Sequence, residues 1–283
     1  MLLAHLSDLH VSHPDNAVAA FSDGAVAVAA AVAHLNALPR TPDVVLITGD
    51  LVDEGTVGEY ELLRDLLAPL TSRVVLLTGN HDEPDVLRSV FPEAEVPAAR
   101  PAHFVVDDLP VRLVAVDTTI DGRHDGELTD ADLRWLDDAL AAAPDRPTVV
   151  AMHHPPFVTG MWWMDYGGLT AAPAMRSIVD AHPQVAAVLA GHVHRAVHTT
   201  WGTALVAAAP SLTYQSCLAL ETDGAPIVSD VVAPIPLLWW DGDTLLAGHT
   251  DYRLPQHHLD LSTVIPHWDT YSQACRAGGP IPK

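Results

Sequence analysis

Residue types that bind metal ions recur in this sequence, each time directly after a short apolar run. The clearest case is the apolar run 185–189, which leads into Gly191-His192-Val193-His194. Four earlier runs are followed by similar side chains. The candidate ligands after the five runs are Asp8, His10, Asp50, Asn80, His81, His153, His192 and His194. Oxygen donors mixed with imidazole nitrogens suit Mn, Fe, Zn or Co, so the set predicts two metal ions that share one carboxylate.

Each candidate ligand also has an ordinary structural interpretation. Asp8, Asp50 and Asn80 could cap helices at strand-to-helix turns, and Asn80-His81 could form a turn. Histidines at a strand end can equally be satisfied by the backbone or by water. Capping and turn formation do not account for five such events, all at strand ends and with both oxygen and nitrogen donors. The set as a whole therefore favours a binuclear metal site.

The elements that must position these ligands are strands whose carboxyl ends meet. Helical segments over residues 18–38 and 57–70 separate the first three apolar runs. Strand–loop–helix units of this kind predict a parallel sheet with right-handed crossovers, and ligands bind beyond the carboxyl ends of such strands. The five predicted strands cover residues 2–6, 44–47, 74–77, 149–152 and 185–189.

The rest of the sequence predicts further strands around this sheet. An antiparallel hairpin is expected over residues 104–106 and 111–116, and helices are expected over 133–142 and 173–181. After His194 the predicted strands resemble a second sheet packed on the first, with Trp239-Trp240 between the last two. These strands cover residues 204–208, 217–220, 227–232 and 244–246. The predicted fold class is α/β, with one domain over residues 1–253 and an irregular tail over 254–283.

The composition and the first residues of the sequence indicate the cellular compartment that we expect for the chain. Of its 283 residues 49% are apolar and 18% are charged, as in a globular protein, and no apolar run approaches the roughly 20 residues of a membrane-spanning helix. The start at Met1 lacks the basic region of a signal peptide, so we expect a cytoplasmic protein. The two cysteines, Cys217 and Cys275, have no metal-binding spacing and are expected to be reduced thiols.

The net charge and the missing motifs exclude several classes of function. A formal charge of −22 would repel a long nucleic acid and an anionic membrane surface, so neither is expected as a partner. A small phosphate ester remains compatible, because metal ions invert the field inside a pocket. The sequence has no Gly-x-Ser-x-Gly nucleophile motif, no P-loop and no Gly-x-Gly-x-x-Gly fingerprint, which argues against serine hydrolases, kinases and dinucleotide-binding enzymes.

Taken in order, the motifs resemble those of a known enzyme family. They are Asp8-Leu9-His10, Gly49-Asp50-Leu51-Val52-Asp53, Gly79-Asn80-His81-Asp82, His153-His154-Pro155-Pro156 and Gly191-His192-Val193-His194. This set resembles the calcineurin-like metallophosphoesterases, and within them the class III cyclic nucleotide phosphodiesterases and the related glycerophosphodiesterases. The resemblance covers residues 1 to about 220. It implies a four-layer sandwich in which two packed mixed sheets are flanked by helices.

The resemblance also implies a role for each candidate ligand. One metal ion would be held by Asp8, His10 and His194, the other by Asn80, His153 and His192, and Asp50 would bridge the two. His81 would stay off the metal ions, face the substrate phosphate, and either stabilise its charge or protonate the leaving oxygen. The implied reaction is hydrolysis of a phosphodiester by a hydroxide that bridges the two metal ions.

Three neighbouring residues are assigned less directly by the motifs. Asp53 and Asp82 would orient histidines or shape the ligand loops, although surface carboxylates are an equally good interpretation. His154 follows the predicted ligand His153. It would be either a substrate contact or a packed neighbour.

The aromatic stretch 159–168 suggests a substrate, because it directly follows a ligand loop. Trp162, Trp163 and Tyr166 could stack on a nucleobase, which favours a 3′,5′-cyclic nucleotide such as cAMP as the substrate. The alternative is a hydrophobic lid or a contact in a homodimer or higher homo-oligomer. A glycerophosphodiesterase or broad-specificity phosphodiesterase is the second candidate function. The third, a noncatalytic binding scaffold of the same fold, would be expected to have lost ligands, whereas this chain keeps them all.

Overall fold

The computed structural model describes residues 1–13, 21–97, 100–166, 168–218, 220 and 227–252, together with residue 273. The chain divides into two units, Met1–Tyr252 and Arg253–Lys283, and every element below belongs to the first. The predicted tail, residues 254–283, lies outside the described residues except for residue 273. The predicted division into domain and tail therefore stays a prediction.

Strands and helices alternate along the first part of the chain, and strands dominate the last part. The strands are β1 (Leu2–Leu6), β2 (Val44–Thr48), β3 (Arg73–Leu77), β4 (Phe104–Val106), β5 (Arg112–Ala115), β6 (Thr148–Ala151), β7 (Val185–Ala190), β8 (Val197–Trp201), β9 (Ala204–Ala208), β10 (Gln215–Ser216), β11 (Val228–Ser229), β12 (Ile235–Trp240) and β13 (Leu245–Thr250). The helices are α1 (Gly24–Ala37), α2 (Val57–Leu67), α3 (Pro84–Val90), α4 (Asp130–Ala141), α5 (Trp162–Tyr166) and α6 (Ala172–Ala181). Among the described residues no helix has the length and apolar character needed to cross a bilayer.

Capping residues fix where the crossover helices begin. At α2 the Thr56 hydroxyl accepts a hydrogen bond from the Glu59 backbone N–H, while the Glu59 carboxylate accepts one from the Thr56 backbone. The same capping box, formed by Thr129 and Asp132, starts α4 at Asp130, which is earlier than the predicted start at residue 133. Helix formation therefore begins at the capping signal, before the first apolar residue of the helix.

Five strands form the first sheet, in the order β13-β12-β1-β2-β3. β1, β2 and β3 are parallel, as their apolar runs predicted, and every residue of β1 and β2 is buried. β12 and β13 extend the sheet as an antiparallel pair beside β1. The carboxyl ends of three parallel strands therefore lie side by side along one edge.

Six strands form the second sheet, in the order β4-β5-β6-β7-β9-β8. The central strands β5, β6, β7 and β9 are parallel, and the edge strands β4 and β8 are antiparallel to their neighbours. One core cluster joins α1 and α2, the first sheet and one face of the second, while another packs α4 and α6 on the opposite face. The predicted α/β fold of two packed mixed sheets flanked by helices is confirmed.

The prediction that the strands after His194 form the second sheet is wrong. β8 and β9 complete the sheet that begins with the predicted hairpin, now β4 and β5, whereas β12 and β13 complete the first sheet. Trp239 and Trp240, expected between strands, lie within β12. The strand predicted at 217–220 is wrong, because residues 217, 218 and 220 belong to no strand and β10 ends before them. The strand predicted at 227–232 shrinks to β11, which pairs with β10. Hydrophobic runs mark strands, but they do not specify which edge of which sheet a strand joins.

Candidate metal centre

The candidate ligands follow the carboxyl ends of strands from both sheets. They are Asp8 and His10 after β1, Asp50 after β2, Asn80 after β3, His153 after β6, and His192 and His194 after β7. Backbone hydrogen bonds hold the first two loops together, since the Asp8 N–H donates to the Gly49 carbonyl (3.0 Å) and the His10 N–H to the Asp50 carbonyl (3.1 Å). The packed sheets thus bring these side chains together at a common edge.

Five of these residues have a left-handed backbone conformation although none is glycine. The φ angles are 53° for Asp8, 41° for His10, 48° for Asp50, 68° for His192 and 49° for His194. This region costs a residue with a Cβ about 1–2 kcal/mol. Such strain persists only where the surroundings hold it, and it concentrates at functional sites.

Asp8, His10, Asp50 and His194 form the first group of possible ligands. All four are buried, and each offers a donor atom within 4.8 Å of the others. Nε2 of His194 lies 3.0 Å from Nε2 of His10 and 3.4 Å from Oδ1 of Asp8. Two atoms that each bind one ion at about 2.1 Å are about 3.0–3.4 Å apart, so these separations fit a shared cation.

Asn80, His153 and His192 form the second group. The amide oxygen of Asn80 lies 3.0 Å from Nε2 of His153 and 3.0 Å from Nδ1 of His192. The Asn80 amide nitrogen lies 3.2 Å from Nδ1 of His124, which orients the amide so that its oxygen faces the two histidines. An oxygen and two imidazole nitrogens therefore converge on one position.

Asp50 lies between the two groups. Its Oδ2 is 3.7 Å from Nε2 of His10 in the first group, and its Oδ1 is 3.4 Å from Nε2 of His153 in the second. Oδ1 also accepts a hydrogen bond from the backbone N–H of His81 at 2.9 Å. Because each oxygen faces a different group, this carboxylate is suited to join two cations.

The protons on His10 and His194 explain why their close approach points to a cation. Nδ1 of His10 lies 3.1 Å from Oδ1 of Asp53, and Nδ1 of His194 lies 3.2 Å from the carbonyl oxygen of Tyr214. Each oxygen can only accept, so in a neutral imidazole the single proton is on Nδ1 and Nε2 carries a lone pair. When both rings are neutral, two lone pairs would then face each other across 3.0 Å. A metal ion that accepts both accounts for this arrangement.

His81 and Asp53 lie beside the first group. Nδ1 of His81 donates to the Asp53 carbonyl at 2.8 Å, and the rings of His81 and His10 meet edge to face with centroids 4.8 Å apart. Asp53 thus contacts both histidines, through its carboxylate and its carbonyl group. The structure places both residues at the site, where His81 is half-buried, as is Asn80.

Asp82 is buried behind the ligand loops. Its carboxylate accepts hydrogen bonds from the backbone N–H groups of Leu51 and Gly79 and from the Tyr60 hydroxyl. Burial, followed by the charge of Asp50, raises the pKa of Asp82 to about 7. This position agrees with a role in shaping the loops after β2 and β3, and not with a surface carboxylate.

His154 is buried, and both of its ring nitrogens are bonded within the protein. Nδ1 lies 2.8 Å from the Thr118 hydroxyl and Nε2 lies 3.1 Å from the His124 carbonyl oxygen. Burial lowers the pKa of His154 to about 3, so the ring is neutral. The geometry agrees with a packed neighbour that holds the loop after β5, and it leaves neither nitrogen available to a substrate.

The aromatic residues of the 159–168 stretch lie on the short helix α5. Trp163 is half-buried and packs against the cluster of Met161, Val193 and Ala208, next to the loop that carries His192 and His194. Its ring meets that of Trp162 edge to face, with centroids 6.0 Å apart. Tyr166 is 94% exposed. Trp163 therefore lies beside the loop that carries two candidate ligands, whereas the Tyr166 side chain extends into solvent.

Sequence reasoning missed Tyr214 and His124. The ring of Tyr214 packs on His194 with centroids 4.4 Å apart and on His10 at 5.9 Å. His124 contacts Asn80 as described above, and its ring centroid lies 5.6 Å from that of His81. Neither residue directly follows an apolar strand, so the pattern that found the ligands gave no signal for them.

Comparison with known proteins identifies the family. Residues 1–196 match the model of the calcineurin-like phosphoesterases. The chain belongs to the calcineurin-like phosphoesterase family. This phosphoesterase is 30% identical over 254 residues to a probable glycerophosphodiester phosphodiesterase, GpdQ, of Arcobacter nitrofigilis, a match that covers 89% of this chain and 93% of the relative. The resemblance seen in the motifs is confirmed, and with it the prediction of a metal-dependent hydrolase of phosphate esters.

Two further similarities extend over most of the phosphoesterase. A 3′,5′-cyclic adenosine monophosphate phosphodiesterase, CpdA, of Pseudomonas aeruginosa is 29% identical over 254 residues, with 90% of this chain and 88% of the relative covered. A dimetal phosphatase from Danio rerio superimposes with a TM-score of 0.67 at 14% identity, covering 89% of this chain and 96% of that structure. The latter similarity supports the fold alone.

The charges at the centre of this phosphoesterase suit cations. Burial disfavours an ionised carboxylate, but His194 outweighs it and lowers the pKa of Asp8 to about 2, and His153 similarly holds the pKa of Asp50 well below its usual value. At His153, burial is outweighed by Asp50, which raises the pKa to about 9. A proton and a metal ion therefore compete for this imidazole, and metal binding releases the proton.

Proposed function

We propose that this chain hydrolyses small phosphodiesters at a centre of two metal ions. The observation that carries the proposal is the close approach of Nε2 of His10 and Nε2 of His194, which lie 3.0 Å apart next to the Asp8 carboxylate. The assignment of ligands is the one that the resemblance implies, and the two groups in the structure support it. Asp8, His10 and His194 would hold one ion, Asn80, His153 and His192 would hold the other, and Asp50 would join them.

Bound there, the ions would supply Lewis-acid charge for the phosphate oxygens and would increase the acidity of the attacking water. The protein orients this chemistry through hydrogen bonds behind the ligands. Nδ1 of His153 donates to the Thr48 carbonyl at 2.8 Å, and Nδ1 of His10 faces Asp53. These bonds fix each ring with Nε2 toward the centre, so little reorganisation is needed when the substrate binds.

His81 is the proposed general acid for the leaving oxygen. Burial lowers its pKa, but Asp50 and Asp53 outweigh burial and raise the pKa above that of a free histidine. Because Nδ1 is bonded to the Asp53 carbonyl, the proton available for transfer is the one on Nε2. A protonated His81 also stabilises the negative charge of a bound phosphate.

Two substrate classes are considered. A 3′,5′-cyclic nucleotide such as cAMP was favoured by the aromatic stretch, and the similarity to CpdA supports it. A glycerophosphodiester is supported by the similarity to GpdQ. A noncatalytic scaffold is disfavoured, since every ligand position and His81 are filled by suitable side chains. The choice among Mn, Fe, Zn and Co, the cytoplasmic location and the homo-oligomer stay predictions.

The test is a set of hydrolysis rates measured together with metal content. Purified protein loaded in turn with Mn, Fe, Zn and Co is assayed on cAMP, glycerophosphoethanolamine and bis(p-nitrophenyl) phosphate, and bound metal is determined on the same samples. We expect about two ions per chain and hydrolysis of at least one diester. Protein that binds two ions but hydrolyses none of the three, or that works at full rate without metal, contradicts the proposal.

A further inference from the structure

A polar cavity opens beside the candidate metal centre. It has a volume of about 410 Å³ and lies between the loop that follows β3, the start of α3 and residues 119–122. Asn80 and Gly79 of the ligand loop line it together with two cations, Arg88 and Arg100. This volume is sufficient for a substituent of a few heavy atoms, such as glycerol.

Asn80 belongs both to this cavity and to the second ligand group. A diester whose phosphate binds at the centre therefore has one of its two alcohol substituents next to the cavity. A different cavity, of about 580 Å³, lies beside the aromatic stretch and is lined by Phe157, Tyr166 and Trp201. None of the candidate metal ligands lines that second cavity. Of these two cavities, the polar one continues from the proposed phosphate position.

The chemistry of the polar cavity suits hydroxyl groups. Nη1 of Arg100 donates to the Thr119 hydroxyl at 2.7 Å and lies 3.1 Å from Asp121. Arg88 donates to the Pro97 carbonyl at 2.7 Å and pairs with Asp85. Arginine–carboxylate pairs offer both donors and acceptors, which a polyol can use together. None of the described residues that line this cavity is aromatic, so it offers no ring on which a nucleobase can stack.

We infer that the polar cavity binds a hydroxyl-rich alcohol substituent of the diester, such as glycerol, and that Arg100 is a specificity-determining residue. The inference rests on the proposed function and deepens it by naming the substrate class. Arg100 is the more accessible of the two arginines, with 32% of its side chain exposed against 20% for Arg88. Its guanidinium donates to a substrate hydroxyl while Thr119 and Asp121 hold it in position.

The test compares Arg100→Gln with the matched control Arg176→Gln. Arg176 lies on α6, is 56% exposed, pairs with Asp180 and lines the cavity beside the aromatic stretch. Steady-state rates are measured on glycerophosphoethanolamine and on bis(p-nitrophenyl) phosphate, which has no hydroxyl group. We expect Arg100→Gln to lower kcat/KM for glycerophosphoethanolamine roughly 10- to 100-fold, mainly through KM, with a change of about twofold or less for bis(p-nitrophenyl) phosphate. Arg176→Gln should change neither rate.

Equal losses on both diesters in Arg100→Gln, or a selectivity change confined to Arg176→Gln, overturn the inference. Where Arg100→Gln does not fold, Arg100→Lys decides, because it keeps a charge for Asp121 but loses the guanidinium fork. It should reduce selectivity for glycerophosphoethanolamine about threefold or more, and unchanged selectivity overturns the inference. Wild-type protein that hydrolyses neither diester contradicts the proposed function itself, so the two failures are distinguishable.

Discussion

The carboxylate of Asp50 lies 3.4 Å from Nε2 of His153, although the two residues follow strands of different sheets. Asp50 follows β2 in the first sheet, and His153 follows β6 in the second. The contact therefore joins the two sheets as well as the two groups of possible ligands. Removing either side chain should affect both groups.

Asp50→Ala should abolish hydrolysis and remove at least one bound metal ion. The carboxylate faces both groups, and we expect a loss of rate of roughly 10³-fold or more. Metal content and diester hydrolysis are measured on the same preparation. Asp65→Ala, an exposed position on α2, is the matched control and should keep both properties. An Asp50→Ala protein with two ions and near wild-type turnover would refute the bridging role.

His81→Ala should retain metal but lose rate. Its ring contacts the His10 ring and the Asp53 carbonyl and does not belong to either proposed ligand set, so we expect rates lower by about 10²- to 10⁴-fold at unchanged metal content. The control is His198→Ala, an exposed histidine on β8. The pH dependence of the rate supplies a second measurement. The decrease in rate at high pH that results from deprotonation of the general acid should disappear in the variant. Equal activity of variant and wild type would remove His81 from the mechanism.

Gly191→Ala should destabilise the protein. A Cβ at this position would lie 1.8 Å from the Ser7 hydroxyl oxygen and 2.7 Å from Oδ2 of Asp8, both buried. Overpacking of this kind costs about 1–3 kcal/mol, and the displaced Asp8 should weaken metal binding. Gly58→Ala on α2, where nothing lies within 4 Å, should instead be neutral or stabilising by up to about 1 kcal/mol. Urea unfolding of the two variants measures the difference, and equal midpoints would contradict the expected clash.

His5→Gln should flatten the dependence of stability on pH. His5 is buried on β1, its Nε2 lies 2.9 Å from the Thr48 hydroxyl, and burial lowers its pKa to about 4, although Asp8 partly opposes this. As the pH falls, the unfolded chain takes up a proton near pH 6.5 and the folded chain only near pH 4. The contribution of the buried, neutral His5 to the free energy of unfolding is therefore complete above about pH 6.5, and it is lost as the pH falls toward 4.

Glutamine can keep the hydrogen bond to Thr48 but has no proton equilibrium in this range. In metal-free buffer, the free energy of unfolding of the wild type should fall between about pH 7.5 and pH 4.5 by about 2 kcal/mol more than that of His5→Gln. Urea titrations at both pH values measure this difference. Parallel losses in the two proteins would show that His5 does not cause it.

The positions of the ligands were predictable from sequence because they depend on local order. A buried strand followed by Asp8, Asp50 or Asn80 specifies where each side chain leaves its sheet, and neighbouring parallel strands bring their ends together. The sheet that each of the later strands joins was not predictable in the same way. Whether β12 pairs with β1 or with β9 depends on contacts between segments far apart in the chain, and an apolar run does not encode its partner.

Tyr214 and His124 show the same limit at the site. Each reaches the candidate ligands from a loop whose course depends on the rest of the fold. Tyr214 follows Ser211 and Thr213, which are linked by hydrogen bonds, and Ser211 also donates to the Asp8 carbonyl. His124 is held through its carbonyl group by His154. Only the assembled structure brings these residues to the site.

The left-handed backbone at Asp8, His10, Asp50, His192 and His194 sets a limit on engineering this protein for heat resistance. Glycine at any of these five positions would relieve the local strain, yet each exchange would also delete a proposed metal ligand. A selection for thermal stability alone should therefore accumulate glycine substitutions at these positions, and those substitutions should abolish catalytic activity. A screen that measures both melting temperature and catalytic rate would reject such substitutions. It would select stabilising substitutions at other positions.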